Sequence, residues 1–459
     1  MLKKTLKQIH EMVGGLNNIT DFESIIAAGV SIDSRHIEPN NLFIPLRGEQ
    51  VDGHQFVEKA ISQGAAASFW QKDAGEPPAG LPCIMVENTE KALQDLAKAY
   101  RKQLNCKVIG ITGSNGKTTT KDMVAALLQT MYRVHKTSGN FNNHLGLPLT
   151  ILGMDEDTEV AVLEMGMSSR GEIEFLSKLA EPDLAIITNI GESHLLDLGS
   201  REEIANAKLE IVAGLKAGGT LIYHGDEPLL RDRIERDLTN LHVVSFGRED
   251  KNDLYPISIT QTDNSTSFEI NGDFREPYTI PVLGVHNVQN ALAAMLVAKL
   301  LRVNDTHIRN GFESVRLTNM RMELVAGAKG QKIINDAYNA SPTSMKAAIE
   351  LVETLEGFQS KYLVLGDMLE LGNQEKEFHV NIGKIIQPDK INAVFTYGSL
   401  GHFIAEGARK SFPVDRVFSY ENKTALITDL KERTSLNDLI LVKASRGMKL
   451  EEIVQALQN

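Results

Sequence analysis

Short apolar runs alternate with helical patterns along most of the chain. Lys107-Val-Ile-Gly-Ile-Thr reads as a buried strand, and Val160-Ala-Val-Leu-Glu, Leu184-Ala-Ile-Ile-Thr-Asn and Thr220-Leu-Ile-Tyr repeat the type. The same rhythm returns after residue 317 in Lys332-Ile-Ile-Asn, Tyr362-Leu-Val-Leu-Gly, Ala393-Val-Phe-Thr-Tyr and Leu439-Ile-Leu-Val-Lys. Continuous apolar strands separated by helices predict parallel βαβ units. Helices are expected over Thr118–Gln129 and Arg201–Leu215, and an amphipathic one over Met1-Leu-Lys-Lys-Thr-Leu-Lys-Gln-Ile-His. Asn271-Gly272, after Thr266-Ser-Phe-Glu-Ile, predicts a type I′ hairpin turn. Before residue 104, short strands mix with turn-rich loops such as Ser31-Ile-Asp-Ser-Arg and Val51-Asp-Gly-His. The expected fold is α/β in three domains: a small first one over 1–104, a central P-loop-type parallel-sheet domain over 105–316, and a Rossmann-like one over 317–459.

Composition narrows the function. The 459 residues carry 48 Lys+Arg against 60 Asp+Glu, a net charge of −12. That balance argues against a nucleic-acid binder, because neutralising phosphates needs a basic surface. Any bound anion must therefore sit in a local pocket. Cys83 and Cys106 are the only cysteines, too few for a disulfide framework or a zinc site. The N-terminus lacks the uninterrupted apolar core of a signal peptide. Ala291–Leu301 contains Lys299 and is too short to span a bilayer. The expectation is a cytoplasmic protein with no membrane insertion.

The strongest local signal is Thr112-Gly-Ser-Asn-Gly-Lys-Thr-Thr-Thr120, between a strand and a helix. Glycines let backbone N–H groups turn toward a phosphate, and a helix N-terminus adds positive potential. Lys117 can reach the β/γ-phosphates and Thr118 can ligate Mg²⁺. Position 111 is Ile where the usual P-loop has glycine, so a plain strand–turn–helix corner is the competing reading. A GTPase is excluded: Asn422-Lys423 continues as Thr424-Ala425, which is not a guanine-binding string. Glu164 ends a strand beside the crevice of a parallel sheet and could hold Mg²⁺, or could be a capping or solvated acid. His194 stands alone after Ile190-Gly-Glu-Ser, and a lone histidine is more often structural. Lys208 lies on a predicted helix, where a surface lysine is ordinary.

Taken together, seven strings in order resemble the Mur ligase family, the ATP-dependent amide-forming enzymes of peptidoglycan precursor synthesis. They are the loop at Thr112, Gly139-Asn-Phe-Asn-Asn-His-Leu-Gly-Leu-Pro-Leu-Thr, Leu163-Glu-Met-Gly-Met-Ser-Ser-Arg-Gly-Glu-Ile, Thr188-Asn-Ile-Gly-Glu-Ser-His, Ala207-Lys-Leu-Glu-Ile, Gly284-Val-His-Asn-Val-Gln-Asn-Ala and Arg321-Met-Glu. Asn335-Asp-Ala-Tyr-Asn-Ala-Ser-Pro-Thr-Ser, Leu365-Gly-Asp-Met-Leu-Glu-Leu-Gly and Val442-Lys-Ala-Ser-Arg-Gly-Met resemble the branch that adds D-alanyl-D-alanine to UDP-MurNAc-tripeptide. Ala444 departs from that branch, which more often has glycine there.

The resemblance implies roles for named residues. Gly113, Ser114, Asn115, Gly116, Lys117, Thr118 and Thr119 would cradle the ATP phosphates. Thr118 and Glu164 would hold one Mg²⁺ and His194 a second, with Lys208 as a carbamylated lysine. Asn287 and Asn290 would approach the adenine, while Arg321, Asp336 and Asn339 would come from the third domain to the phosphates and ribose. Ser34 and Arg35 would hold the UDP end, and Asn142 and Asn143 would face the growing peptide. Lys117, Lys208, His194 and Arg321 are the implied catalytic set, acting through an acyl phosphate. The resemblance also implies a monomer. Competing readings are the neighbouring ligase that adds the third amino acid, a folylpolyglutamate synthase, and a P-loop ATPase module without ligation. Residues 1–104 speak against the folate enzyme, which has no comparable first domain.

Overall fold

A computed structural model describes residues 1–272 and 276–459. Its centre is a six-stranded, all-parallel sheet in the order His242–Phe246, Thr220–His224, Leu184–Ile187, Lys107–Thr112, Val160–Glu164, Val134–Lys136. The four inner strands are apolar runs because both of their faces are covered. Lys107–Thr112 comes first in sequence yet sits inside the sheet, with later strands added on either side. That reversal of strand order opens a crevice at its carboxyl end, where parallel sheets receive ligands.

One face of this sheet is covered by the helices Lys117–Leu128 and Val285–Leu300, the second buried nearly all round. The other face is shared with the first hundred residues. Leu93, Leu96 and Tyr100 of the helix Thr89–Arg101 join Val108, Ala161, Leu163, Ala185 and Ile187 in one apolar cluster. Tyr100 donates its hydroxyl to Met154 O at 2.8 Å, and Arg101 Nε donates to Ala180 O at 2.8 Å. The first region's own sheet is four short parallel strands, Val30–Ser31, Leu42–Phe43, Ala67–Gln71 and Cys83–Val86.

The last region has a second six-stranded sheet, ordered Glu323–Ala326, Lys332–Asp336, Leu439–Lys443, Lys361–Gly366, Ala393–Tyr397, Val417–Tyr420. Only its first strand is antiparallel. Its two apolar clusters are closed within the region, with Leu283 the one contribution from earlier in the chain.

Three local expectations change. Residues 1–10 are not a single helix: Lys3–Thr5 pairs antiparallel with Ile26–Ala28, and the helix is Leu6–Val13. Thr5 ends the strand and starts the helix, because its side chain accepts from Gln8 N while its own N–H donates to Gln8 Oε1. The helix expected over 201–215 stops at Leu209 and continues as a 3-10 turn, Glu210–Gly214. There Ser177 intervenes, donating its hydroxyl to Ile211 O and accepting from Gly214 N. Thr266–Ile270 does pair antiparallel with Tyr278–Ile280, but the type I′ turn expected at Asn271-Gly272 is not there: Asn271 is not left-handed, and Phe268 opposes Tyr278, so the loop is longer than two residues. Residues 273–275 of that loop lie outside the described residues.

Candidate active site

The loop after Lys107–Thr112 owes its shape to two glycines. Gly113 has φ +145°, and a Cβ there would lie 1.9 Å from Thr188 Oγ1. Thr188 cannot yield, because its hydroxyl donates to Asn115 O at 2.5 Å. Gly116 has φ +80°, with Asn290 Oδ1 2.5 Å from where a Cβ would be. Gly116 caps the helix that begins at Lys117, so the free N–H groups of its first turn face the crevice. Lys117 Nζ lies over the loop, donating to Gly113 O at 2.7 Å and Ser114 O at 3.3 Å. Desolvation pulls its pKa down to about 8; Glu164 opposes that shift and Arg321 adds to it.

Glu164 stands at the carboxyl end of the neighbouring strand, buried to 2% exposure. Its Oε2 accepts from Thr118 Oγ1 at 2.9 Å, and its Oε1 from Asn142 Nδ2 at 2.8 Å. A hydroxyl and a carboxylate thus adjoin one another where phosphate oxygens would arrive. Asn143 uses its side-chain oxygen locally, accepting from Leu145 N at 3.2 Å and Gly146 N at 2.8 Å.

The opposite wall belongs to the last region. Arg321 stacks on Tyr338, its guanidinium carbon 4.0 Å from the ring centre, and its Nε is buried without a partner. Lys443 Nζ bridges Asp336 Oδ2 at 2.5 Å and Asn339 O at 3.0 Å. Two side-chain hydrogen bonds close the wall onto the central region: Ser341 Oγ donates to Asn115 Oδ1 of the loop at 3.1 Å, and Thr343 Oγ1 to Glu192 Oε2, beyond the strand Leu184–Ile187, at 2.6 Å. His194 Nδ1 lies 2.9 Å from Glu370 Oε2, and both residues have left-handed backbones, at φ +64° and +66°. The contact keeps the Glu370 carboxyl below its ordinary range.

The two walls enclose a cavity of about 360 Å³. It brings together Ser114 to Thr119, Asn142, Asn143, Glu164, His194, Asn287, Asn290, Arg321, Asp336 and Asn339. Asn287 and Asn290 are joined at 3.0 Å, and Asn290 also accepts from Thr120 Oγ1 at 3.2 Å. His286, beside them, is pushed down to about 4 by burial, so it is neutral at pH 7. A second cavity of about 180 Å³ adjoins the first and shares His194, Tyr338 and Asn339 with it; Ser445 and Arg446 line its far side.

Four expected site residues stand apart from the cavity lining: Gly113, at the root of the phosphate loop, and Ser34, Arg35 and Lys208. Ser34 and Arg35 are in the first region, where Arg35 is gripped by Asp33 at 2.8 and 2.9 Å. That pairing holds the Asp33 carboxyl far below its usual range. Lys208 is 1% exposed, and its Nζ has no hydrogen-bond partner. Burial first, then the Lys117 charge, push it well below the ordinary lysine pKa. Sequence reasoning missed Tyr338, Lys443, Glu192, Glu370 and His286. Each lies inside or beside a string already noted, but its role depends on contacts made across the fold.

A phosphate loop at a strand-order reversal, faced by an arginine and a lysine–aspartate pair from a second α/β body, is the layout of an ATP-dependent ligase. The chain belongs to the Mur ligase family. The family models that match are the Mur ligase middle domain over residues 111–298, the glutamate ligase domain over 320–446, and the Mur ligase family catalytic domain over 27–101. It is similar to the UDP-N-acetylmuramoyl-tripeptide--D-alanyl-D-alanine ligase of Bacillus subtilis (strain 168), 54% identical over 100% of this chain and 99% of the relative. The Escherichia coli (strain K12) ligase of the same description is 32% identical over 100% of this chain and 99% of its own. Among solved structures, MurF from Acinetobacter baumannii superposes with a TM-score of 0.89 at 28% identity, covering 100% of this chain and 99% of that one. MurF ligase from Thermotoga maritima, in complex with ADP, gives 0.81 at 28% identity, covering 94% and 97%. A folylpolyglutamate synthase of Mycobacterium tuberculosis shares the fold at 0.62 and 18% identity, over 81% of this chain. Among the described residues no helix is long and apolar enough to cross a membrane.

Proposed function

We propose that this chain joins D-alanyl-D-alanine to UDP-MurNAc-tripeptide in the cytoplasm, using ATP. The observation that carries the ligase reading is the divided cavity, with the phosphate loop on one wall and Arg321, Asp336 and Lys443 on the other. The substrates follow from the full-length likeness to ligases named for that reaction. The terminal carboxylate of the tripeptide attacks the γ-phosphoryl of ATP, giving an acyl phosphate and ADP. The dipeptide amine then displaces phosphate to form the amide. Two anions must meet in the first step, so Lys117 and Arg321 serve chiefly as charge stabilisers. The smaller cavity is the berth for the dipeptide, with Arg446 as counter-charge for its carboxylate, and the first region, including Ser34 and Arg35, holds the UDP end.

Thr118 Oγ1 and Glu164 are hard oxygen donors beside the loop, fit to hold Mg²⁺ together with the phosphates. A second ion would draw on His194, whose Nε2 is the ring nitrogen not facing Glu370. Bound Mg²⁺ supplies further charge neutralisation to the transferring phosphoryl. Lys208 suits carbamylation: burial disfavours the ammonium of this unpartnered side chain, and the neutral amine is the form that adds to CO₂, releasing one proton and leaving an anionic carbamate. In ¹³C-bicarbonate the protein should show a carbamate resonance that is missing from Lys208→Ala; identical spectra remove the modification.

The reaction itself is tested by phosphate release from Mg·ATP with UDP-MurNAc-tripeptide, with and without D-alanyl-D-alanine. Release that needs both, with a pentapeptide product by mass, is expected. Release with a single amino acid instead points to a neighbouring ligase, and release with neither substrate to an ATPase.

A further inference from the structure

Asp122 is a buried carboxylate that the reaction above leaves unused. Asp122 lies on the helix Lys117–Leu128, one turn beyond the phosphate loop, at 1% side-chain exposure. Its Oδ2 accepts from both Thr318 N and Thr318 Oγ1, each at 2.8 Å. Its Oδ1 accepts from Lys136 Nζ at 2.6 Å, with Lys121 Nζ 3.4 Å away. Two donors from one residue onto one oxygen fix that residue's orientation as well as its position. The grip falls where the chain leaves the central region, three residues before Arg321.

Beyond Thr318 the segment is held again from the other side. Met320 N donates to Glu323 Oε2 at 3.0 Å and Met322 N to Asp336 Oδ1 at 3.1 Å. Met320 and Met322 both adopt left-handed backbones, at φ +61° and +52°, which non-glycine residues take only when their surroundings impose it. Arg321 therefore hangs between a central anchor and a third-region anchor. The central anchor also reaches the acid of the site: Lys121 Nζ donates to Thr137 O at 3.0 Å, and Thr137 Oγ1 accepts from Glu164 N at 3.0 Å.

We propose that Asp122 is a positioning residue for the ligase reaction, gripping Thr318 so that Arg321 arrives at the phosphate loop in register with Lys117 and Glu164. The inference rests on the proposed ligation, and wild-type product formation is measured first, so a failure of that reading shows before any variant is compared. Asp122→Asn also unbalances Lys121 and Lys136 and can fail to fold, so the primary variant is Thr318→Val, which removes one donor and keeps the shape. In the full chain, Thr318→Val should lower kcat about tenfold, the loss expected for a hydroxyl bound to a carboxylate. The melting temperature should fall by no more than a few degrees and stay well above that of the assay, because Thr318 N still donates to Asp122 and the apolar cores are untouched. Thr318→Ser should restore kcat. An unchanged kcat in Thr318→Val overturns the proposal, as does a melting temperature lowered into the range of the assay, or a loss of kcat that serine does not rescue.

Discussion

The central region meets its two neighbours in opposite ways. Toward the first region the seam is apolar and continuous, with Leu93, Leu96 and Tyr100 sunk into the same cluster as the central strands. Toward the last region it is mostly polar, made of Ser341 on Asn115, Thr343 on Glu192, Glu370 on His194 and Thr318 on Asp122. An apolar seam loses burial at once when it parts, whereas polar groups that part can exchange their hydrogen bonds for bonds to water at little net cost. The first region is thus fused to the nucleotide-binding sheet, and the last is docked on it. A ligase needs both: a fixed distance to the far end of a long substrate, and a wall that can leave to admit nucleotide and release product.

The largest effect should come from cutting the fused seam. Tyr100→Ala should destabilise the chain by about 3–5 kcal/mol and lower the unfolding midpoint of the first and central regions together. A separate early transition for the first region, or a loss under about 1 kcal/mol, would break the comparison. At the docked seam, Thr343→Val should leave the melting temperature within about a degree yet lower kcat about fivefold, the equivalent of roughly 1 kcal/mol taken from the closed state. A fall in stability without a fall in kcat would mean that this contact is structural.

The smallest effect, a shift in the onset of a pH dependence, reports on the seam through Lys117. With its pKa near 8 in the ligand-free site, the ammonium is almost wholly charged below about pH 7, and ADP affinity should be flat there. Above pH 8 the amine is largely neutral and must take up a proton on binding, so Kd should rise by up to about tenfold per pH unit. Because Arg321 contributes to the depression, Arg321→Ala should move the onset of that rise to higher pH. An onset unmoved by the substitution would show that the last region does not reach Lys117 in solution.

The parts legible from sequence are those that local pattern determines. Strands Lys107–Thr112, Val160–Glu164 and Leu439–Lys443 are apolar because they are buried on both faces, so composition finds them. The loop from Gly113 to Thr118 is readable because glycine, lysine and threonine at that spacing have few other uses. Lys208 had no such pattern: its meaning lies in a buried nitrogen without a partner, a property of the packed molecule. The stop at Leu209 was hidden for the same reason, since the hydroxyl that ends the helix belongs to Ser177, on another helix. The shared apolar seam escaped too. The helix Thr89–Arg101 has an apolar stripe, but nothing in the stripe says whose sheet it will cover.

The two adjoining cavities share three side chains, His194, Tyr338 and Asn339, and this bears on inhibitor design. A compound that filled the larger space with a phosphate mimic and the smaller with a dipeptide mimic would need only a short linker past Asn339. Binding of one half would then present the other at millimolar effective concentration, so the joined molecule should bind about 10²–10⁴-fold more tightly than either piece. Comparing its Ki with those of the separate halves measures that gain, and equal values would show that the two spaces are not open to one ligand at once.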